Sequence, residues 1–320
     1  MKAITITALT GPDAAVLADV APPAAEGLVR IRVESAGVAF PDLLLSHGSY
    51  QLKPPPPFIP GSEVAGTVIE APPESGFTVG DRVAALTMLN GFAEEAVALP
   101  DAVYRLPESV SFDEAAALPM NYLTVQFALD RRGAVQPGDT VVVHGAAGGV
   151  GTAALQFLRW RGARSIAVVS SPTKESIARD AGADDVVAVD GFRDAVRELT
   201  GGRGADIVVD PVGGDRFTDS LRCLAPEGRL LVIGFAAGQI PEVKVNRLLL
   251  NNISVVGVSW GSFALATPGY LKQQWEAINP GISSGALRPL LHDTMALDQA
   301  AAALRLLETR EVRGKIVLKP

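Results

Sequence analysis

Cysteine and histidine are nearly missing from this chain: of its 320 residues only Cys223 is a cysteine, and only His47, His144 and His292 are histidines. One thiol cannot close an intramolecular disulfide or build a cysteine-cluster metal site, which fits a reducing compartment. Catalytic zinc needs about three nitrogen, sulfur or carboxylate ligands around an open position, and the three histidines are not spaced as such a site. Basic excess is missing too. The chain has 28 Lys and Arg against 35 Asp and Glu, a net charge of −7, which argues against general binding to nucleic acid or to an anionic membrane. No apolar run approaches the roughly 18 residues of a membrane span. The start, Met1-Lys2-Ala3-Ile4-Thr5-Ile6-Thr7, alternates like a strand and lacks the apolar core of a signal peptide. The expectation is a cytoplasmic protein without a membrane or nucleic-acid partner. No Ser/His/Asp set or paired-carboxylate motif is present either.

What is present is a globular composition, 48% hydrophobic and 20% charged, with length for about two domains. The most informative stretch is His144-Gly145-Ala146-Ala147-Gly148-Gly149-Val150-Gly151. A buried-looking run, Thr140-Val141-Val142-Val143, leads into it, and a helical pattern, Thr152 to Arg161, leaves it. Glycine allows a tight turn and close approach of an anion, while the N–H groups and positive dipole of the following helix face a diphosphate. Ala146 stands at the first position of the fingerprint, which reads AxGxxG. A second apolar run, Ser165-Ile166-Ala167-Val168-Val169, arrives at the spacing of a βαβ dinucleotide-binding unit.

The end of that second run selects the dinucleotide. An NAD site places a carboxylate there for the adenine ribose hydroxyls, whereas a 2′-phosphate needs it absent and cations or hydroxyls nearby. Here the sequence is Ser170-Ser171-Pro172-Thr173-Lys174, with no carboxylate before Glu175. Pro172 suits the first turn of a helix and Ser171 its N-cap. The expected cofactor is therefore NADPH.

From Met1 to about Leu99 short strand patterns alternate with Gly/Pro turns, at Leu28 to Val33, Glu63 to Ile69, Asp81 to Leu86 and Phe92 to Leu99. The prolines of Lys53-Pro54-Pro55-Pro56-Pro57 predict an extended surface loop. Ser111-Phe112-Asp113-Glu114 is a capping-box pattern that opens an alanine-rich helix; Pro119 interrupts it, and a second helix is expected from about Asn121 to Arg132. Strands follow near Thr140 to Val143, Ser165 to Val169, Val186 to Val189, Ile207 to Val209, Arg229 to Ile233 and Ser254 to Val258, with helices in most gaps. That order predicts a doubly wound parallel sheet. The tail adds a helix near Gln299 to Thr309 and a last strand, Lys315 to Leu318.

Several further motifs occur in one order: Ala36-Gly37-Val38-Ala39-Phe40-Pro41-Asp42-Leu43 leading to Gly48-Ser49-Tyr50, Pro60-Gly61-Ser62-Glu63-Val64-Ala65-Gly66, Gly80-Asp81-Arg82-Val83, Leu199-Thr200-Gly201-Gly202-Arg203-Gly204, and Asp210-Pro211-Val212-Gly213-Gly214. With the glycine-rich turn, they resemble the zinc-independent NADPH:quinone oxidoreductases of the medium-chain dehydrogenase/reductase (MDR) superfamily, over nearly the whole chain. The resemblance implies an α/β architecture, a doubly wound parallel Rossmann sheet inserted in a GroES-like β-barrel substrate domain. Residues 1–120 and 261–320 would form the substrate domain and 121–260 the NADPH-binding domain, with the active site in the cleft. Where zinc relatives carry Gly-His-Glu, this chain has Gly61-Ser62-Glu63, so no metal is expected.

The resemblance also implies site residues. Ala147, Gly148, Gly149 and Val150 would hold the diphosphate, Ser170 and Lys174 the 2′-phosphate, and Val212 and Gly213 would lie beside the cofactor. Tyr50 and Thr124 are the catalytic candidates, Tyr50 lining the cleft and Thr124 near the nicotinamide; Ala39, Trp260 and Phe263 are the substrate-pocket candidates. Quinone oxidoreductases commonly carry Asn where this chain has Ala39, a departure that bears on quinone specificity, and Asp190 stands where some relatives carry a Tyr near the adenine. The expected function is metal-free hydride transfer from NADPH to quinones or α,β-unsaturated carbonyls. An enoyl-thioester reductase and a non-catalytic NADPH-binding protein are the alternatives. In the resembled family two Rossmann sheets join edge to edge, so a homodimer paired through Ser254 to Val258 is expected.

Overall fold

The computed structural model describes all 320 residues, and the chain divides into two compact units. The first comprises Met1–Asn121, Pro268–Asn279 and Pro289–Pro320, and the second Tyr122–Thr267 and Pro280–Arg288.

The N-terminal part of the first unit is β-rich, as its alternation of apolar and polar residues requires. Strands β1 (Lys2–Ile6) and β2 (Ala15–Asp19) form an antiparallel pair. There follow β3 (Val29–Val38), the short helix α1 (Phe40–Ser46), β4 (Glu63–Glu70), β5 (Arg82–Leu86), β6 (Glu95–Ala98) and β7 (Val103–Arg105). The ten-residue β3 organises this unit because its two halves pair differently. Val29–Arg32 lies against β6, whereas Ala36–Val38 lies against the last strand of the chain. The strand predicted from Phe92 is shorter than expected: Phe92 and Ala93 belong to a tight turn over Gly61 and Pro60, and regular pairing begins at Glu95.

Ser111 caps a helix as predicted. Its hydroxyl accepts the Glu114 N–H and the Glu114 carboxylate accepts the Ser111 N–H, a reciprocal capping box. That helix, α2 (Phe112–Ala115), is only one turn long. The following helical run begins at Pro119, not Asn121, because proline is tolerated at a helix start. It winds as π turns over Pro119–Leu123 and Phe127–Arg132 around a short α segment, α3 (Thr124–Gln126).

The second unit is the doubly wound domain. Its elements are β8 (Thr140–Val143), α4 (Gly149–Arg161), β9 (Arg164–Val169), α5 (Pro172–Asp180), β10 (Asp185–Ala188), α6 (Phe192–Leu199), β11 (Ala205–Asp210), α7 (Phe217–Arg222), β12 (Leu224–Val232), α8 (Asn246–Asn251), β13 (Ser254–Gly257) and α9 (Trp260–Leu265). The six strands run parallel in the order β10-β9-β8-β11-β12-β13. The order reverses between β8 and β11, the place where such sheets bind ligands outside their carboxyl ends. Val142, Ile166, Val168, Val208 and Leu230 are buried under Phe192, Val196, Phe217 and Leu221 of α6 and α7. Cys223 packs in this core, its thiol donating to the Ser220 carbonyl.

After α10 (Tyr270–Ser283), the tail adds β14 (Leu291–Ala296), α11 (Ala300–Glu308) and β15 (Lys315–Lys319). The larger sheet of the first unit then reads β14-β15-β3-β4-β5-β7, with β6 also paired to β3. Leu297, Ala300, Ala303 and Leu304 close its core over Ile31, Val33 and Val68. No helix is long and apolar enough to cross a membrane.

Candidate active site

In the second unit β8 ends at Val143 and delivers His144, which is fully buried. Its ring meets Phe192 edge-on with centroids 4.9 Å apart, and its Nε2 lies 2.8 Å from the Ser220 hydroxyl. Burial, assisted by the charge of Arg216, pushes its pKa down to about 3, so it is neutral. It is a packing residue at the strand end.

The chain then turns at Gly145, whose φ of 59° lies in the left-handed region. Helix α4 starts at Gly149, three residues earlier than the apolar periodicity suggested, with Gly148 as its N-cap. The turn is drawn so tight that a Cβ at Gly151 would lie 2.2 Å from the Gly145 carbonyl oxygen. A Cβ on Gly148 would have only that same oxygen nearby, at 3.4 Å, so this face of the turn is open. Gly148 N–H is used up on the Gly145 carbonyl, and the first bond back into the helix comes from Thr152 N–H. The N–H groups of Gly149, Val150 and Gly151 have no acceptor in the protein. An open face with three free N–H groups at the positive end of a 13-residue helix fits a diphosphate.

The neighbouring strand β9 ends at Val169 and exposes Ser170. Ser171 caps α5, its hydroxyl accepting the Lys174 N–H at 3.4 Å, and Pro172 occupies the first helical position. Glu175, the first carboxylate of this segment, is ion-paired with Arg179 one turn on, at 2.7 Å. The segment offers the Ser170 hydroxyl and has no carboxylate before Glu175, which suits a 2′-phosphate.

On the other side of β8, strand β11 ends in Asp210, which is 1% exposed. Its Oδ1 accepts the N–H groups of Val212 and Gly213, each at 2.9 Å. Burial raises its pKa, opposed by those two bonds. This carboxylate shapes the loop that carries two of the predicted cofactor residues. Because β9, β8 and β11 are adjacent and parallel, the structure brings Ser170, Lys174, the Gly148–Val150 turn, Val212 and Gly213 to one end of one sheet. Ala147 lies beneath this surface, 3% exposed. Thr124 stands on α3 just ahead of Phe127, whose ring packs 5.2 Å from that of Phe263 on α9. Trp260, on the same helix, is 6% exposed.

In the first unit Ala39 is the extended N-cap of α1. Its N–H is held by the Asp42 carboxylate at 2.8 Å, and the other Asp42 oxygen accepts the Gly61 N–H at 3.1 Å. Asp42 is fully buried, and burial pushes its pKa up to about 7. Beside it Glu63, also fully buried, pairs with Lys315 of β15 and accepts the Met120 N–H at 2.8 Å. Tyr50 is half-buried; burial and the Asp42 charge raise its pKa, so it remains a phenol at neutral pH. Asp42, Asp210 and the Glu63–Lys315 pair were not singled out as functional residues in the sequence. The one available signal was a carboxylate set among small or apolar residues, as in Phe40-Pro41-Asp42-Leu43. No group of three or more His, Cys, Asp or Glu side chains is arranged to hold a metal ion.

Comparison with known proteins decides the family. Residues 25–108 match the model of the alcohol dehydrogenase GroES-like domain, and residues 149–278 that of the zinc-binding dehydrogenases. Quinone oxidoreductase-like protein 2 of Rattus norvegicus is 37% identical over 294 residues, covering 91% of this chain and 84% of the relative. The chain belongs to the quinone oxidoreductase family. Solved structures agree with that membership. A probable oxidoreductase from Mycobacterium abscessus is 43% identical with a TM-score of 0.92, and covers 100% of this chain and 99% of its own. The quinone oxidoreductase from Thermus thermophilus, solved also in complex with NADPH, is 35% identical with a TM-score of 0.87 over 100% of both chains. The zinc-binding dehydrogenase model thus matches a member of the family that has Gly61-Ser62-Glu63 and no metal-holding cluster.

Proposed function

We propose that this member of the quinone oxidoreductase family is an NADPH-dependent reductase of quinones or α,β-unsaturated carbonyls that works without a metal. The observation that carries the reading is the tight turn that leaves Gly148 open and the N–H groups of Gly149, Val150 and Gly151 without acceptors, beside a β9 end with no carboxylate before Glu175. NADPH, when bound, supplies the hydride. The chain's own residues bind and orient. The N–H groups of Gly149, Val150 and Gly151 hold the diphosphate, Ser170, the α5 start and Lys174 hold the 2′-phosphate, and Asp210 fixes the loop of Val212 and Gly213 against the cofactor. Thr124, Trp260 and Phe263 are proposed to serve the nicotinamide and a flat acceptor. Tyr50 is proposed as the proton donor for enone substrates, its phenol being protonated at neutral pH. Ala39 offers no side-chain hydrogen bond, which favours acceptors placed by their planar face.

The NADPH preference gives a sharp expectation. Lys174→Ala should weaken NADPH about 10- to 100-fold by removing a charge-assisted contact, while leaving NADH nearly unchanged. Fluorescence titration with both cofactors checks it; equal losses for the two would remove the argument. The reaction class is tested by following NADPH consumption with 1,4-benzoquinone, 9,10-phenanthrenequinone, an alkenone and crotonyl-CoA, and NADP reduction with simple alcohols. Reduction of a quinone or enone is expected. Robust alcohol oxidation with neither reduced would overturn the proposal.

The edge of the second unit supports a homodimer as part of this reading. Strand β13 pairs with β12 on one side only, and Ile240, Val245, Leu249 and Leu250 are each more than 70% exposed. An unpaired strand beside exposed aliphatic residues is a surface that a second copy completes about a two-fold axis. A cytoplasmic setting accords with the lone, buried, unpaired Cys223.

A further inference from the structure

The glycine-rich turn offers N–H groups but no cation. The second unit nevertheless holds an unused guanidinium close to it. Arg216 ends the single turn Gly214–Arg216 that leads from β11 into α7. Its carbonyl accepts the Ser220 hydroxyl at 3.0 Å, and that hydroxyl lies 2.8 Å from His144 Nε2. Since the Ser220 proton goes to Arg216, the imidazole must donate from Nε2. One hydroxyl therefore ties the backbone of Arg216 to the residue that immediately precedes the Gly145 turn. This places Arg216 at the reversal between β8 and β11.

Several arginines of this unit are ion-paired: Arg164 with Asp185, Arg203 with Asp206 and Arg229 with Asp139. Arg216 makes no ion pair, and its Nε is buried with no partner. Asp210, at the end of β11, feels the Arg216 charge but makes no ion pair with it, and its Oδ1 accepts the Val212 and Gly213 N–H groups. An always-charged fork with a buried, unpaired donor calls for an anion. Its position beside the cofactor turn makes a dinucleotide phosphate the fitting one. We propose that Arg216 is a further phosphate ligand of the bound dinucleotide, supplying the positive charge that the glycine-rich turn lacks. The proposal rests on the reading that this turn binds NADPH.

Arg216→Gln should weaken NADPH about 10- to 30-fold in fluorescence or calorimetric titration, and should make the affinity less sensitive to salt. Arg216→Lys, which keeps a charge but not the fork, should fall between Arg216→Gln and the parent chain. Titrations with 2′,5′-ADP, 5′-ADP and NMNH identify the phosphate: loss confined to 2′,5′-ADP points to the 2′-phosphate, and loss shared with 5′-ADP or NMNH to the diphosphate. Unchanged NADPH affinity and salt dependence in Arg216→Gln would overturn the assignment. If the parent chain itself fails to bind NADPH, the cofactor reading falls, which the same titration shows separately.

Discussion

Lys315→Met is expected to destabilise the chain by about 3–5 kcal/mol, read as a shift of the urea unfolding midpoint. Lys315 is 4% exposed and its ammonium is paired with the fully buried carboxylate of Glu63. Taking both ions out of water is expensive, so the pair is not a strong source of net stability. Removing one partner is different, because it leaves the other charge buried without compensation. Glu63 would keep the Met120 N–H but lose its cation. The double replacement Glu63→Gln with Lys315→Met should recover most of the loss, since it removes the uncompensated charge together with the pair. If the single and double variants unfold alike, the buried charge is not the cause.

Asp42 should make stability fall as the pH rises from about 4 to 7. Its folded-state pKa of about 7 lies above the roughly 3.9 of an unfolded aspartate, so the folded chain binds this proton more tightly. The stabilisation is complete below the unfolded value and is lost as the pH climbs through the folded one. Over that window the difference amounts to about 4 kcal/mol from this group. Asp42→Asn cannot titrate and should flatten this part of the curve, measured as Tm at pH 5 against pH 8. Parallel curves for the two proteins would refute it. The same proton matters to the site, because the Asp42 oxygens hold Ala39 and Gly61 and its charge acts on Tyr50.

The parallel sheet is legible because most of its strands contain a short apolar run that ends near Gly, Pro or Asp, and strand and helix patterns alternate along the chain. The caps at Ser111 and Ser171 follow from local chemistry that needs no partner. Apolar spacing predicts an ordinary helix from about Asn121 to Arg132 and does not distinguish it from the π-turned run that the structure has from Pro119 to Arg132. Of the candidate site, the cofactor turn could be read because glycine positions report backbone constraint directly. Asp42, Glu63 and Lys315 could not. They lie far apart in sequence and meet only through the pairing of β3 with β4 and β15. Arg216 was silent for a related reason: whether an arginine is paired depends on carboxylates that the fold brings near it or keeps away.

The account turns on hydride passing from NADPH directly to carbon or quinone oxygen without metal assistance, and isotope transfer tests this most directly. Protein treated exhaustively with chelator should be supplied with NADPH deuterated at the transferred C4 position and an alkenone acceptor. The account predicts undiminished turnover and one deuterium on the β-carbon of the saturated ketone, with the α-hydrogen drawn from solvent. Product without deuterium on carbon, or turnover that stops with the chelator and returns with zinc, would contradict it.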